Sequence, residues 1–465
     1  MNLTEKELIS SLNQHYDYKS DYKKRCISTY LSSPLFGQPD NIYCNSPYVR
    51  PCRPQDLDES ILFTALSKET LNNPNHLLAQ RLLLNIYEQD LVFLPQASNV
   101  FNLEEFQSFY EPELTACGHS IRSALEHFLF DWLEKSIHVE GNWNLDSFFA
   151  YTDSILEKIA QSESELYKEL TTSREPQAAA RFYLVQCAGD FLSEASAMGR
   201  NVLGNFGSYT SELFKILIDE YGYGVHQKKH SSIFEELLKQ VGLSPHIHHY
   251  WQFYTPTSLA LINYFHYVSA NHASFFRYLG SLYFTEASLA YVSHAQSKTI
   301  KDIFSGCVST EYFDEHGHID VYHGRMALKK MIVPLVKEYG DKILPHILRG
   351  FEEFRLLQDI ADQELFAHIK WQDQLNDYKQ KASALRPYYG SDMSFTEKKG
   401  ELSVTHTHPV DELFWVEEGE TELVVSPDKS ILLSAGEGIV IPQGMLHGSI
   451  VKSEHCRYTV TSLEQ

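Results

Sequence analysis

Along most of the chain, apolar residues recur every three to four positions, the spacing of helices that bury one face. In SIRSALEHFLFDWLEK, Ile121, Leu125, Phe128 and Trp132 follow one another at four, three and four residues. They form one stripe, whose ordinary role is packing. Residues 1–140 read as a helical region around a proline-rich connection, SPLFGQPDNIYCNSPYVRPCRP. Residues 141–384 continue in long amphipathic windows separated by short Gly, Ser and Pro breaks. There the stretch MALKKMIVPLVKEYGDKILPHILRGFEEFRLLQDIADQELFAHI predicts two helices, each opened or kinked near a proline, Pro334 and Pro345. From about residue 385 the period changes. The runs ELFWVEEGETELVVS and GEGIVIPQGMLH alternate, are rich in Val, Ile and Leu, and are divided by glycines. They predict a small antiparallel β domain over 385–465. The fold class is multidomain α + β: a helical N-terminal domain, a helical bundle and a C-terminal barrel.

Composition narrows the function classes. The chain has 465 residues, 43% of them hydrophobic, enough for about two to four domains with ordinary cores. No apolar run reaches the roughly 18 to 20 residues needed to span a bilayer. The polar start MNLTEKELISSLNQHY lacks the apolar stretch of a signal peptide, so a cytoplasmic protein with no membrane partner is expected. Seven scattered cysteines without a CxxC pair argue against a disulfide framework, a zinc ribbon or an iron–sulfur centre. The net charge of −22 opposes a surface that tracks phosphates, so no nucleic-acid partner is expected; it would suit a cationic small molecule.

Two C-terminal segments carry the sharpest chemical pattern. In GELSVTHTHPVDELFWVEEG, Gly400, His406, His408, Glu412 and Gly419 are separated by five, one, three and six residues. In GEGIVIPQGMLH, Gly436, Pro442, Gly444 and His447 are separated by five, one and two. The pair resembles the two-part cupin signature, departing from it only where Val451 stands in place of a terminal Asn. His406 and His408, two apart on a strand, would present both rings to one face, and the second segment brings His447 to meet them. Three imidazoles on a rigid barrel leave coordination positions open and suit iron, manganese, nickel or zinc. Glu412 is either a fourth ligand or the partner of an imidazole.

The central helical region holds a second ligand stock. In STEYFDEHGHIDVYHGRMAL, His316, Asp320 and His323 are four and three residues apart and leave one helix face, with His318 off that stripe. A solvated polar face is the ordinary alternative. Carboxylates that could meet them stand in apolar or small-residue helical runs: Glu286 in LYFTEASLAYVSHA, and Glu194 in AGDFLSEASAMG with Asp190 one turn before it. A third, Glu220 in ELFKILIDEYGYGVHQKKH, precedes His230 by ten residues, about 15 Å in a straight helix. Gly222 and Gly224 between them can unwind the helix, and the nearer His226 is a rival. Carboxylates and histidines on separate helices are the ligands of a di-iron, oxygen-activating centre. His246, His248 and His249 in PHIHHYW lack matching carboxylates and read as pocket wall or structural residues.

With these residues in view, the central region resembles the haem-oxygenase-like di-iron oxidases. The three-part order resembles the N-nitrosourea-forming metalloenzymes. That resemblance implies two Fe(2+) ions held by Glu220, His230, Glu286, His316, Asp320 and His323, with Glu194 as the extra carboxylate of a subset, and it favours His230 over His226. It implies a third iron on His406, His408 and His447, with O2 as co-substrate. The implied reaction is N-hydroxylation of the guanidine of an arginine derivative such as N-methylarginine, then oxidative rearrangement in the cupin to an N-nitroso product. An external electron donor and a homodimer formed through residues 1–140 belong to the same expectation. A di-iron N-oxygenase acting on another amine or amino acid is the enzymatic alternative. A small-molecule sensor would normally carry a basic DNA-reading segment, and none is evident.

Overall fold

In the computed structural model, which describes residues 20–94, 102–204, 206–390 and 392–463, the two hydrophobic periods become two architectures. Regular elements up to Leu385 are helical, and those from Met393 to Ser462 are strands. Helix α1 (Pro74–Gln89) begins where the Asn73 side chain accepts from the Asn75 N–H, with proline in the first turn. It is buried nearly all round and so is a central helix. Helix α2 (Pro112–Ser136) carries the expected stripe: Ile121, Leu125, Phe128 and Trp132 are all buried.

The central helices that matter for function are α3 (Pro176–Phe191), α4 (Gly207–Glu220), α5 (His230–Gln240), α6 (Pro256–Ala270), α7 (Phe275–Ile303), α8 (Glu311–Met326) and α9 (Leu344–Asp373). Helix α7 packs along both α8 and α9. At the α7–α9 crossing the backbones touch. A Cβ on Gly280 would stand 1.7 Å from the Ile347 carbonyl oxygen, and one on Gly350 1.8 Å from that of Arg277. Only glycine permits that approach. The prolines act as the pattern predicts. Helix α8 passes through wider π turns at Ala327–Ile332 into Val333–Tyr339, with Pro334 in its first turn, and Pro345 opens α9.

After the short helix α10 (Leu375–Leu385), eight strands form two four-stranded antiparallel sheets. One has the order β1 (Met393–Lys398), β8 (His455–Ser462), β3 (Glu412–Glu418), β6 (Gly438–Ile441). The other runs β2 (Leu402–His406), β7 (His447–Val451), β4 (Glu420–Ser426), β5 (Lys429–Ser434). Val416, Leu423, Leu433 and Ile439 fill the barrel core, joined by Trp371 of α9 and Leu375 of α10. A second apolar cluster joins Leu84, Ala180 and Tyr254 of the helical body to Leu402, Val424 and Leu446 of the barrel. Barrel and helices are thus packed against each other. Among the described residues, no helix is long and apolar enough to cross a membrane.

Candidate metal centres

Helix α8 turns His316, Asp320 and His323 into the bundle, all three buried, where Glu286 of α7 meets them. Glu220 ends α4. The chain then leaves the helix through Gly222, Tyr223 and Gly224, with φ of 58°, 54° and 78°. A Cβ at Gly222 would lie 2.4 Å from the Lys228 carbonyl carbon, so this tight return needs glycine. It brings His230, the first residue of α5, back until its Nδ1 is 2.6 Å from Glu220 Oε2. His226 is exposed and contacts Ser232.

Two donor sets result. Glu194, Glu220, His230 and His316 form one, and Glu220, Glu286, Asp320 and His323 the other; within each, one donor atom per residue lies within 4.8 Å of the rest. Glu220 belongs to both and stands where a carboxylate could bridge two cations.

The supporting contacts orient the rings. His316 Nδ1–H donates to the Tyr312 carbonyl at 2.8 Å, which turns Nε2 inward, 2.9 Å from Glu194 Oε1. His323 is set the other way round. Its Nε2 pairs with Asp219 Oδ2 at 3.0 Å, and its Nδ1 faces Glu286 at 3.2 Å, Glu220 at 3.5 Å and Asp320 at 3.6 Å. The Tyr312 hydroxyl donates to Glu194 Oε1 at 3.0 Å. Such outer partners fix which nitrogen a metal meets.

The donor set fits cations. Both oxygens of Asp320, Oε2 of Glu194 and Oε2 of Glu220 are buried and accept no aligned hydrogen bond from the described residues. Buried carboxylates so placed call for positive charge. The titrations carry the same message. Burial opposes charge on His323, but Glu286, Asp320 and Glu220 outweigh it and lift the ring to about 12. Burial likewise opposes a charge on His316, which Glu194 and Asp320 nevertheless raise well above the ordinary imidazole value. Burial pushes Asp320 up to about 7. Protons held this way are those a divalent metal displaces.

In the barrel, β2 and β7 pair so that His406 lies directly opposite His447. The ring centroids of His406, His408 and His447 are 4.7, 4.5 and 5.2 Å apart. One correction applies: β2 ends at His406, so His408 reaches the cluster from the following loop and not from the strand. Between Ser403 and His406 the register shifts, three residues on β2 against two on β7, before the ladder ends at the His406–His447 pair. His406 Nδ1–H donates to the Val404 carbonyl at 2.9 Å and His447 Nδ1–H to that of Met445 at 3.0 Å, leaving Nε2 of each as the donor atom. Glu412 lies 2.9 Å from His408 Nδ1 and outside the three-imidazole set; it holds a ring. Burial and the neighbouring imidazoles keep His406 well below its ordinary value, and burial, with His408, holds His447 down to about 3. Neutral rings with free lone pairs suit a borderline metal ion.

The helical body braces this centre from outside. Arg81 of α1 donates to the Thr405 carbonyl at 2.9 Å and to its hydroxyl at 2.8 Å, one residue before His406. His368 of α9 donates from Nδ1 to the Glu364 carbonyl at 2.8 Å and accepts the Leu446 N–H at Nε2, 2.9 Å away and one residue before His447.

Sequence reasoning therefore assembled the residues of both clusters, with one further correction. Glu194 is not on a helix: α3 ends at Phe191, and Glu194 lies in the turns that follow, with Ala195 at φ 62°. It missed Asp219, Tyr312, Arg81 and His368. Signals existed for two of these. Asp219 and Glu220 are adjacent acids at a helix C-terminus, where the dipole disfavours them, and Arg81 is a lone charge inside HLLAQRLLLNIY. The cluster His246, His248, His249 is structural. His248 pairs with Glu88 at 3.0 Å, His249 meets the Cys44 carbonyl at 3.0 Å, and His246 is exposed.

Residues 181–359 match the haem-oxygenase-like family described as iron-containing redox enzymes, and residues 393–462 match the cupin domain. Fold and centres together define an oxidoreductase built from a haem-oxygenase-like iron domain and a cupin. Over 446 residues the chain is 41% identical to the nitrosourea synthase of Streptomyces achromogenes subsp. streptozoticus, covering 94% of each protein. The chain belongs to the nitrosourea synthase family.

Proposed function

We propose that this protein is a bifunctional non-haem iron oxygenase that makes an N-nitroso product. On this reading the helical centre N-hydroxylates the guanidine of an arginine derivative of the N-methylarginine type, and the cupin rearranges that product oxidatively, forming the N–N bond. The observation that carries it is the coexistence of two unlike donor clusters in one chain, a carboxylate-rich pair of sets sharing Glu220 and a carboxylate-free triad of imidazoles. The relative's activity, nitrosourea synthesis, supports the same assignment.

Glu194, Glu220, His230, Glu286, His316, Asp320 and His323 would hold two Fe(2+), and His406, His408 and His447 one more, with Glu412 orienting His408. Iron at these centres supplies the electrons that activate O2. The residues do the rest. Glu220 would balance the charge of both cations, Asp219 and the Tyr312 carbonyl hold the rings, and Glu194, steadied by the Tyr312 hydroxyl from a turn, would be the ligand freest to shift. Hydroxylation of an N–H by O2 needs two electrons beyond the substrate's own, so an external donor belongs to the scheme. In the barrel, three imidazoles would leave positions for a chelating hydroxyguanidine. The division into residues 1–140 (dimerisation), 141–384 (di-iron domain) and 385–465 (cupin) belongs to the same proposal, as does the homodimer.

The test is incubation of iron-loaded protein with N-methylarginine, a reductant and O2, read by mass spectrometry. Wild type should give the N-nitroso product, His406→Ala should accumulate hydroxylated N-methylarginine, and His316→Ala should give neither. No oxygenation by wild type would reject the substrate assignment in favour of another amine or amino acid.

A further inference from the structure

The donor cluster of the helical bundle opens on one side into a cavity walled by Asp190, Glu194, Ile262, Glu286, Leu289 and His316. Asp190, Ile262, Thr285 and Leu289 also wall an inner chamber between α3, α6, α7 and α9. That chamber in turn shares Tyr167, Phe284, Gln358 and Asp362 with a third cavity, whose rim includes the exposed Tyr291 and Asp359. Three neighbouring cavities that share wall residues therefore lie in succession between the surface and the cluster.

The inner chamber has an unusual charge balance. Among the described residues no Lys, Arg or His lines it, yet two carboxylates do, Asp190 and Asp362. Asp362 has one tie, from the Gln358 amide at 2.8 Å. No side-chain or backbone donor among the described residues reaches the Asp190 carboxylate, and it has no ion-pair partner there. Ile262, Phe284, Leu289, Val292 and Leu365 give the same chamber apolar wall, beside neutral polar groups such as Ser258, Thr285 and Gln296. Two carboxylates and apolar wall in one chamber complement a ligand whose positive groups are joined by an alkyl chain. Burial lifts both acids to about 7, a balance that a bound cation tips towards the carboxylate. Asp190 also walls the cavity at the donor cluster, and Asp362 does not. The two positions are therefore inequivalent: one is beside the chemistry, the other towards the surface.

We propose that this inner chamber is the substrate-binding site of the helical centre, with Asp190 gripping the guanidinium beside the donor cluster and Asp362 the second positive group, the α-ammonium. This rests on the reading that the helical centre oxygenates an arginine-type guanidine, and the test separates the two. A guanidinium presents paired N–H donors that fit a carboxylate bidentately. The alkyl chain lies along the apolar walls. Neither aspartate is a metal ligand; both are specificity residues.

The experiment is anaerobic calorimetry on the iron-loaded full chain with three probes: N-methylarginine, agmatine, and citrulline, in which a neutral urea replaces the guanidinium. Wild type should bind N-methylarginine roughly 10- to 100-fold more tightly than citrulline, the range set by one charge-assisted contact. That comparison needs no variant. Asp190→Asn should weaken N-methylarginine binding over the same range while leaving citrulline nearly unchanged, whereas Asp362→Asn, which loses the α-ammonium contact that both ligands make, should weaken both. Both should raise KM for hydroxylation more than they lower kcat. Equal affinity for citrulline and N-methylarginine, or wild-type affinity in Asp190→Asn, would overturn the chamber even if N-methylarginine is hydroxylated. Agmatine binding that depends on Asp190, with no oxygenation of N-methylarginine, would support the chamber while rejecting the proposed reaction. Failure of wild type to bind any cationic probe would overturn it.

Discussion

At the scale of single residues, both centres work by deciding which nitrogen of a ring faces inward. His316, His406 and His447 each give Nδ1–H to a nearby carbonyl, whereas His323 gives its Nε2 to Asp219. Asp219→Asn should therefore weaken iron binding at the helical centre by roughly 10- to 100-fold, the usual effect of removing such a partner. Chelator competition should show this, with the cupin iron unchanged; equal affinity in variant and wild type would show that Asp219 orients nothing. Away from the donor clusters, Glu88 on α1 is buried with Arg50 and His248 as partners. Burial pushes its carboxyl up, but Arg50 and His248 outweigh it and hold it at about 2, below the ordinary 4.5. A depressed carboxylate stabilises the fold fully above its ordinary value and loses that contribution as pH falls towards its folded value. Glu88→Gln should cost about 3–5 kcal/mol near neutral pH, because it leaves a buried guanidinium uncompensated. The deficit should narrow as pH drops from about 4.5 towards 2. Thermal midpoints of the two proteins across that window measure it, and a constant gap would exclude the Arg50 pairing as its source.

At the scale of elements, the break between α4 and α5 decides whether a helical centre exists at all. Ten residues of straight helix would hold Glu220 and His230 about 15 Å apart, yet the return through Gly222 brings them to 2.6 Å. Alanine there must adopt a left-handed φ, at about 1–2 kcal/mol, and also meets the Lys228 backbone. Gly222→Ala should displace His230 and empty the helical centre of iron while the cupin stays loaded, which metal analysis of the two centres by Mössbauer spectroscopy would resolve. Retention of both irons would mean that the turn tolerates a side chain. The glycines that make this turn were legible in the segment EYGYGVH, but its outcome was not, because a break can send the chain in any direction. Helix α8 was legible outright, since four-and-three spacing on a helix has one consequence.

At the scale of the whole molecule, the cupin centre is held from outside the barrel. Arg81 and His368 come from helices far apart in sequence and clamp the residues just before His406 and His447. Neither touches the imidazole triad. Arg81→Lys, which cannot fork onto Thr405, and His368→Ala, which strands the Leu446 N–H, should each loosen the cupin metal by about tenfold or more. The helical centre should keep its iron, since no brace reaches it. Separate iron titrations of the two centres check this; an unaltered cupin affinity would mean the barrel positions its histidines unaided.

By itself, the sequence determined the fold class, the order of the parts and nearly all the candidate ligands. Helical and strand periods, and a signature with fixed spacing, are local properties that survive in one dimension. Tertiary structure decided what distance along the chain cannot encode: that Glu220 sits between both carboxylate–histidine sets, that His408 enters from a loop, and that Glu412 holds a ring. It also decided that Asp190 and Asp362, 172 positions apart by subtraction, face one chamber. The physical reason is common to all four. Buried charge must find its complement in space, and the packing of helices against each other and against the barrel determines which complement it meets.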